Sequence, residues 1–219
     1  MFLSLVTMAI AGPGSVAVLY FQNQGNPALE PLKVGLAQML TTDLHGAGGA
    51  TLVERQQLQA VMTELELGHQ AVVDKATAAK LGKLVGAEFL VLGSYFEMAG
   101  TLRVDARLVR VETGEVVASH GANGGVASFI DIERQVAEQL RGAVASAIPG
   151  TAPAERPDST LALAPGPEAR PLDAAMALSE GLIALDSHEL PRAKASFEAA
   201  FAADGRLVEA QSLLATLEL

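Results

Sequence analysis

From Ser15 to Phe21 nearly every residue is apolar (Ser-Val-Ala-Val-Leu-Tyr-Phe), the pattern of a strand covered on both faces. After a polar loop, Leu29, Leu32, Leu36, Met39, Leu40 and Leu44 fall on one stripe and predict a helix, with Pro31 in its first turn. The Gly46–Gly49 cluster ends that helix. A short β-rich run, Thr51-Leu52-Val53, then passes into a second helical pattern at Leu58, Val61, Met62 and Leu65. Past Gly68, Asp74 suits the N-cap of a third helix with Ala78, Leu81, Leu84 and Val85 inward and Gly86 as its C′ glycine. Phe89-Leu90-Val91-Leu92 is apolar at every position, so it is expected at the centre of the sheet.

Beyond Ser94 the period changes. Leu102, Val104, Ala106 and Leu108 alternate with Arg103, Asp105 and Arg107, as on a strand with one solvated face. Met98-Ala99-Gly100 and Glu112-Thr113-Gly114-Glu115 read as hairpin turns on either side of it, with Val116–Ser119 as the last strand. Gly121–Gly125 reads as a flexible turn leading to a final helix. Ser128 is expected to cap that helix, with Phe129, Ile132, Val136, Leu140 and Val144 inward. The expected fold is α/β: a mixed sheet, parallel in its β-α-β-α-α-β start and an antiparallel meander at its end, flanked by helices.

The stretch Val53-Glu54-Arg55-x-x-Leu58, with Gly86-Ala87 before an apolar strand ending Gly93-Ser94 and Thr113-Gly114-Glu115 at a later turn, resembles the CsgG-like fold. The resemblance covers roughly Ser15 to Ala147. That family includes the curli secretion channel, with TolB-type amino-terminal domains and envelope lipoproteins among its relatives. It implies a non-enzymatic bacterial cell-envelope protein that assembles with itself or with other proteins. In the channel, two long hairpins per subunit build a transmembrane barrel. A membrane-spanning strand needs about 9–11 residues, so a hairpin takes ~20 or more, and neither Met98–Gly100 nor the span from Ser119 to Ser128 offers that length. The expectation is therefore the soluble core of the fold without its spanning hairpins.

Pro149–Pro171 holds six of the chain's ten prolines and reads as a linker. After it, Gly181, Leu190, Ala193, Phe197, Ala200 and Asp204 resemble the small and aromatic packing positions of a tetratricopeptide repeat. The match is partial, because Ala177, Glu180 and Ala184 replace larger residues in the first helix. One such unit cannot cover both its faces, so it should dock on a neighbour or on the α/β domain. The expected domains are a leader over residues 1–14, an α/β domain over 15–148, a linker over 149–171 and helices over 172–219.

Composition narrows the chemistry. A net charge of −10 gives no electrostatic footprint for nucleic acid. The absence of cysteine removes thiolate chemistry and cysteine-based metal sites, and leaves no residue to lipidate. Phe2–Ala11, ending Ala9-Ile10-Ala11, resembles a signal h-region and cleavage site but lacks a basic start. Periplasmic or other export is the expected localisation, with a cytoplasmic chain as the alternative. His45, His69, His120 and His188 lack metal-ligand spacing and read as solvated. Glu54 and Arg55 suggest a cap and an ion pair at the strand-to-helix junction. Gly121–Gly125 matches neither a dinucleotide nor a P-loop fingerprint, so a nucleotide- or small-ligand-binding regulator is the alternative function. An enzyme ranks last, with no nucleophile, metal set or cofactor fingerprint. No catalytic, cofactor or metal residue is expected. The candidate interaction surface is Arg103, Asp105, Arg107, Leu190 and Phe197, with Arg103, Asp105 and Arg107 expected to guard a sheet edge.

Overall fold

The computed structural model describes residues 14–65, 75–148 and 169–217. The leader, Asp74, His69 and most of the proline-rich linker lie outside the described residues. The elements in order are β1 (Ser15–Val18), β2 (Gln22–Asn23), α1 (Leu32–Leu44), β3 (Thr51–Leu52), α2 (Arg55–Glu64) and α3 (Lys75–Leu84). They continue with β4 (Phe89–Met98), β5 (Thr101–Arg110), β6 (Val116–Gly125), α4 (Phe129–Ala147), α5 (Pro171–Asp186), α6 (Leu190–Ala203) and α7 (Val208–Leu217). The sheet runs β3-β1-β4-β5-β6, with β2 also beside β4. β1 pairs in parallel with β3 and β4, and β4, β5 and β6 form an antiparallel meander. The mixed α/β architecture and the central place of the all-apolar strand are as the sequence pattern requires.

Helices cover the two faces of the sheet unequally. On one face β4 contributes Phe89, Val91 and Tyr95, and β5 contributes Leu102, Val104, Ala106 and Leu108, to a core shared with α1, α4, α5 and α6. On the other, Leu58, Met62, Ala78, Leu81 and Val85 of α2 and α3 pack with Ala17, Leu19 and Leu90 in a smaller cluster. The Tyr95 hydroxyl donates to the Leu29 carbonyl at 2.7 Å, which ties β4 to the turn that leads into α1. At Gly93 the Phe21 ring occupies the space of a side chain, since a Cβ there would stand 2.0 Å from the ring. Burial of these apolar groups, at roughly 25 cal/mol per Å², drives the fold.

The β4–β5 hairpin turns on two residues. Ala99 has φ 52° and Gly100 φ 78°, the pair of left-handed residues a type I′ turn requires. An alanine in that region costs about 1–2 kcal/mol, and asparagine tolerates it better. Ala99→Asn should therefore raise stability by about 1 kcal/mol, read as a higher urea midpoint by circular dichroism. No change, or a decrease, would show that the alanine is unstrained.

Three local expectations are corrected. Gly121–Gly125 is not a turn but the second half of β6, held in register opposite Asp105, Val104, Arg103, Leu102 and Thr101. Ser128 stands at the cap position of α4, yet its side chain makes no capping hydrogen bond, because a 3-10 turn over Val126–Ser128 feeds directly into the helix. Glu54 likewise caps α2 by position only, with no hydrogen bond from its side chain. Pro171 is the first residue of α5, where a missing N–H is harmless.

The carboxy-terminal helices do not stand alone. Gly35 on α1 lies so close to α5 that a Cβ would sit 2.2 Å from Ser179 Oγ and 2.9 Å from the Ala175 carbonyl oxygen. The Gly35 N–H donates to Ser179 Oγ at 3.0 Å, and that hydroxyl donates back to the Ala175 carbonyl. Leu178, Leu182, Phe197 and Ala200 belong to the same apolar cluster as Leu36 and Leu40. The face that one helical pair leaves uncovered thus rests on the α/β domain.

Candidate interaction surface

Alternation along β5 sends Arg103, Asp105 and Arg107 to the face away from α4, where Arg103 and Arg107 are exposed and Asp105 half-buried. Arg103 donates through Nε and Nη2 to both oxygens of Asp105, at 2.7 and 2.6 Å. The pair leans across the neighbouring strand: a Cβ on Gly121 would meet Asp105 Oδ1 at 2.3 Å and Arg103 Nη2 at 3.3 Å. Glycine at 121 is thus the seat of an ion pair rather than a hinge. As an exposed pair it adds little to stability, about 0–1 kcal/mol.

The strand carrying these charges is not an edge. β5 pairs on both sides, with β4 and β6, so its charges do not guard an unpaired backbone. The long edge belongs to β6, which among the described residues has only β5 beside it. Edge strands are commonly blunted by lysine, proline, brevity or a bulge. β6 is ten residues long and its sequence, VVASHGANGG, contains no lysine, arginine or proline. The register shift between Leu108 and Val109 affects only the end near the β5–β6 turn.

The two residues of the carboxy-terminal helices divide. Leu190 at the start of α6 is 52% exposed and remains available to a partner. Phe197 is fully buried between α5 and α6, with its ring over Gly181, whose Cβ would be 2.4 Å from Cε1. It packs within the chain and offers no surface.

Arg55 also differs from expectation. Its partner is not Glu54 but Asp186, at the end of α5, 131 residues away. Arg55 Nη1 donates to the two carboxylate oxygens at 2.8 and 2.7 Å, and both side chains are nearly buried, at 7% and 12% exposure. Burial lowers the guanidinium's affinity for its proton, but its hydrogen bonds to the Asp186 carboxylate, with that group's charge, more than offset this and raise it. Beside them the Tyr20 hydroxyl donates to Gln59 Oε1, and burial pushes its pKa up to about 12. The distant acid was invisible in the local sequence, where Glu54 was the obvious choice.

Gly121–Gly125 is extended strand, so it forms no loop of convergent N–H groups for a phosphate. His45, His120 and His188 lie on separate elements, and among the described residues no group of three or more His, Asp or Glu could hold a metal ion. No helix among them is long and apolar enough to cross a membrane.

Several solved structures resemble the chain. The LpoB C-terminal domain from Salmonella enterica is 23% identical, over 53% of this chain and 86% of that one, with a TM-score of 0.44. Lipoprotein GNA1162 from Neisseria meningitidis is 17% identical, over 63% and 99% of the two chains, at a TM-score of 0.44. TolB from Acinetobacter baumannii is 17% identical, over 68% and 31%, at 0.40. No curated protein matches the chain. The model of the family described as "Curli production assembly/transport component CsgG" matches residues 7–100, from before β1 to the β4–β5 turn. That match takes in the parallel half of the sheet and the helices α1 to α3 beside it.

Proposed function

We propose that this protein is a non-catalytic component of the bacterial cell envelope that acts as a scaffold by binding copies of itself through β6. The envelope assignment is supported by the CsgG-family match over residues 7–100. The observation that carries the mode of action is the ten-residue strand β6, unpaired on its outer side among the described residues and without the usual blocking side chains.

A second copy is the fitting occupant because the surface is self-complementary. In an antiparallel β6–β6 pair with its two-fold axis at Ala122, Asn123 lies opposite Gly121 of the other copy. Arg103 is the neighbour of Asn123 on β5, and Asp105 the neighbour of Gly121. Arg103 and Asp105 then meet their opposites across the joint, as a two-fold contact between identical surfaces demands. Small side chains on β6 leave room for both ion pairs to lie across it.

Ser119→Lys with Asn123→Lys tests this. The double variant places like charges on both sides of the joint while leaving the core face of β6 intact. Sedimentation velocity should show association in the wild type and its loss in the variant, with unchanged circular dichroism. A variant that associates as the wild type does would remove β6 from the interface.

A further inference from the structure

A cavity opens at the margin of the smaller core, between α3 and the outer face of the sheet. Gly82 holds the helix down, since a Cβ there would stand 2.7 Å from Val111 Cγ2 and 3.2 Å from Leu90 Cδ1. One turn earlier, Ala78 and Ala79 face the same strands with a single methyl each, and a space of about 200 Å³ is left beside them. Its floor is Leu90, Leu92 and Val109, of which Leu90 and Val109 are partners in register. Val116, 50% exposed, borders it at the start of β6. An apolar cavity of about 150 Å³ is enough to hold benzene, so this one takes a six-membered ring or a branched group of like size.

The charge of the lining runs against that of the chain. The net charge is −10, yet the side chains around the cavity include two arginines and no carboxylate. Arg110 is engaged elsewhere, with its guanidinium 4.8 Å above the Phe89 ring and 3.3 Å from Glu88 Oε1. Arg107 is not. It is exposed, stands between Leu92 and Ser119 in the sheet, and makes no hydrogen bond or ion pair among the described residues. Asp105, two residues along the same face of β5, is held by Arg103 at 2.7 and 2.6 Å. A guanidinium presents its donors as a planar fork that matches the two oxygens of a carboxylate. Apolar walls beside it weaken the competition from water.

We propose that this cavity binds a carboxylate that carries one compact apolar group. The apolar group lies between α3 and the sheet, and the carboxylate meets Arg107. A small apolar acid and the carboxyl-terminal residue of a peptide both offer this chemistry. The site stands apart from the β6 contact, so a chain that failed to self-associate would still bind the acid.

Nuclear magnetic resonance of the full-length protein, titrated with phenylacetate, tests the site. The ring should shift the amides of Ala79, Leu92 and Val109 in a saturable way and leave those of α6 unmoved. Phenylacetamide has the same shape without the charge and should bind roughly tenfold more weakly. Arg107→Gln, at an exposed position, should weaken phenylacetate by a similar factor, and Ala79→Leu, which fills the space, should abolish the shifts. The peptide Gly-Gly-Gly-Phe separates the two sources. Tighter binding than phenylacetate identifies a chain end, and equal or weaker binding identifies a small acid. The proposal is overturned if neither phenylacetate nor the peptide shifts these amides saturably. It is equally overturned if phenylacetamide binds as tightly as phenylacetate, or if Arg107→Gln binds phenylacetate as the wild type does.

Discussion

Phe197→Ala should lose about 3–5 kcal/mol of stability, the usual result of emptying a fully buried aromatic site. The ring is fully buried and lies on Gly181, so the backbone of α5 already stands as close to α6 as a side chain-free residue allows. The cavity cannot close by letting the two helices approach. Because α5 also packs on α1 through Gly35 and Ser179, the loss should spread beyond the hairpin and shift the main urea transition. Far-UV circular dichroism during urea unfolding measures this. A shift equivalent to less than about 1 kcal/mol would mean that α5 and α6 repack more freely than close packing permits.

Arg55→Met should be nearly as costly, at about 3–5 kcal/mol, for a different reason. Removing one partner of a buried pair leaves the other charge in a poorly solvated place. Asp186, at 12% exposure, would keep its desolvation without its cation. Replacing both, as Arg55→Met with Asp186→Leu, should recover most of the loss, since an apolar pair of similar volume needs no compensation. A double-mutant cycle on urea midpoints separates the two cases. If the single variant cost no more than an exposed ion pair, about 0–1 kcal/mol, the bridge would not join α2 to α5 energetically.

The two variants act where the sequence was least and most informative. Phe197 and Gly181 were legible as a packed pair because a small residue and an aromatic at those spacings have few other uses in helical hairpins. The docking of that hairpin followed from its uncovered face. Arg55 was misread because an ion pair between elements 131 residues apart leaves no local trace. The strands divide in the same way. Phe89–Leu92 had to be central because nothing polar interrupts it, whereas the glycines of β6 hide a strand: their own preference is against it, and pairing with β5 overrides that preference. Reading Gly121–Gly125 as a turn shortened β6 and made β5 look like an edge, so the charges on Arg103, Asp105 and Arg107 were given a guarding role. The alternation places these residues on the solvated face of β5, and pairing of β5 on both sides removes the edge-guarding reading alone.

Size-exclusion chromatography with light scattering, over a range of protein concentrations, tests self-association most directly. The chain has a mass of 22.6 kDa. The account predicts a mass at least twice that, falling to the monomer value on dilution and in the Ser119→Lys, Asn123→Lys variant. A wild-type mass of 22.6 kDa at every concentration would contradict it.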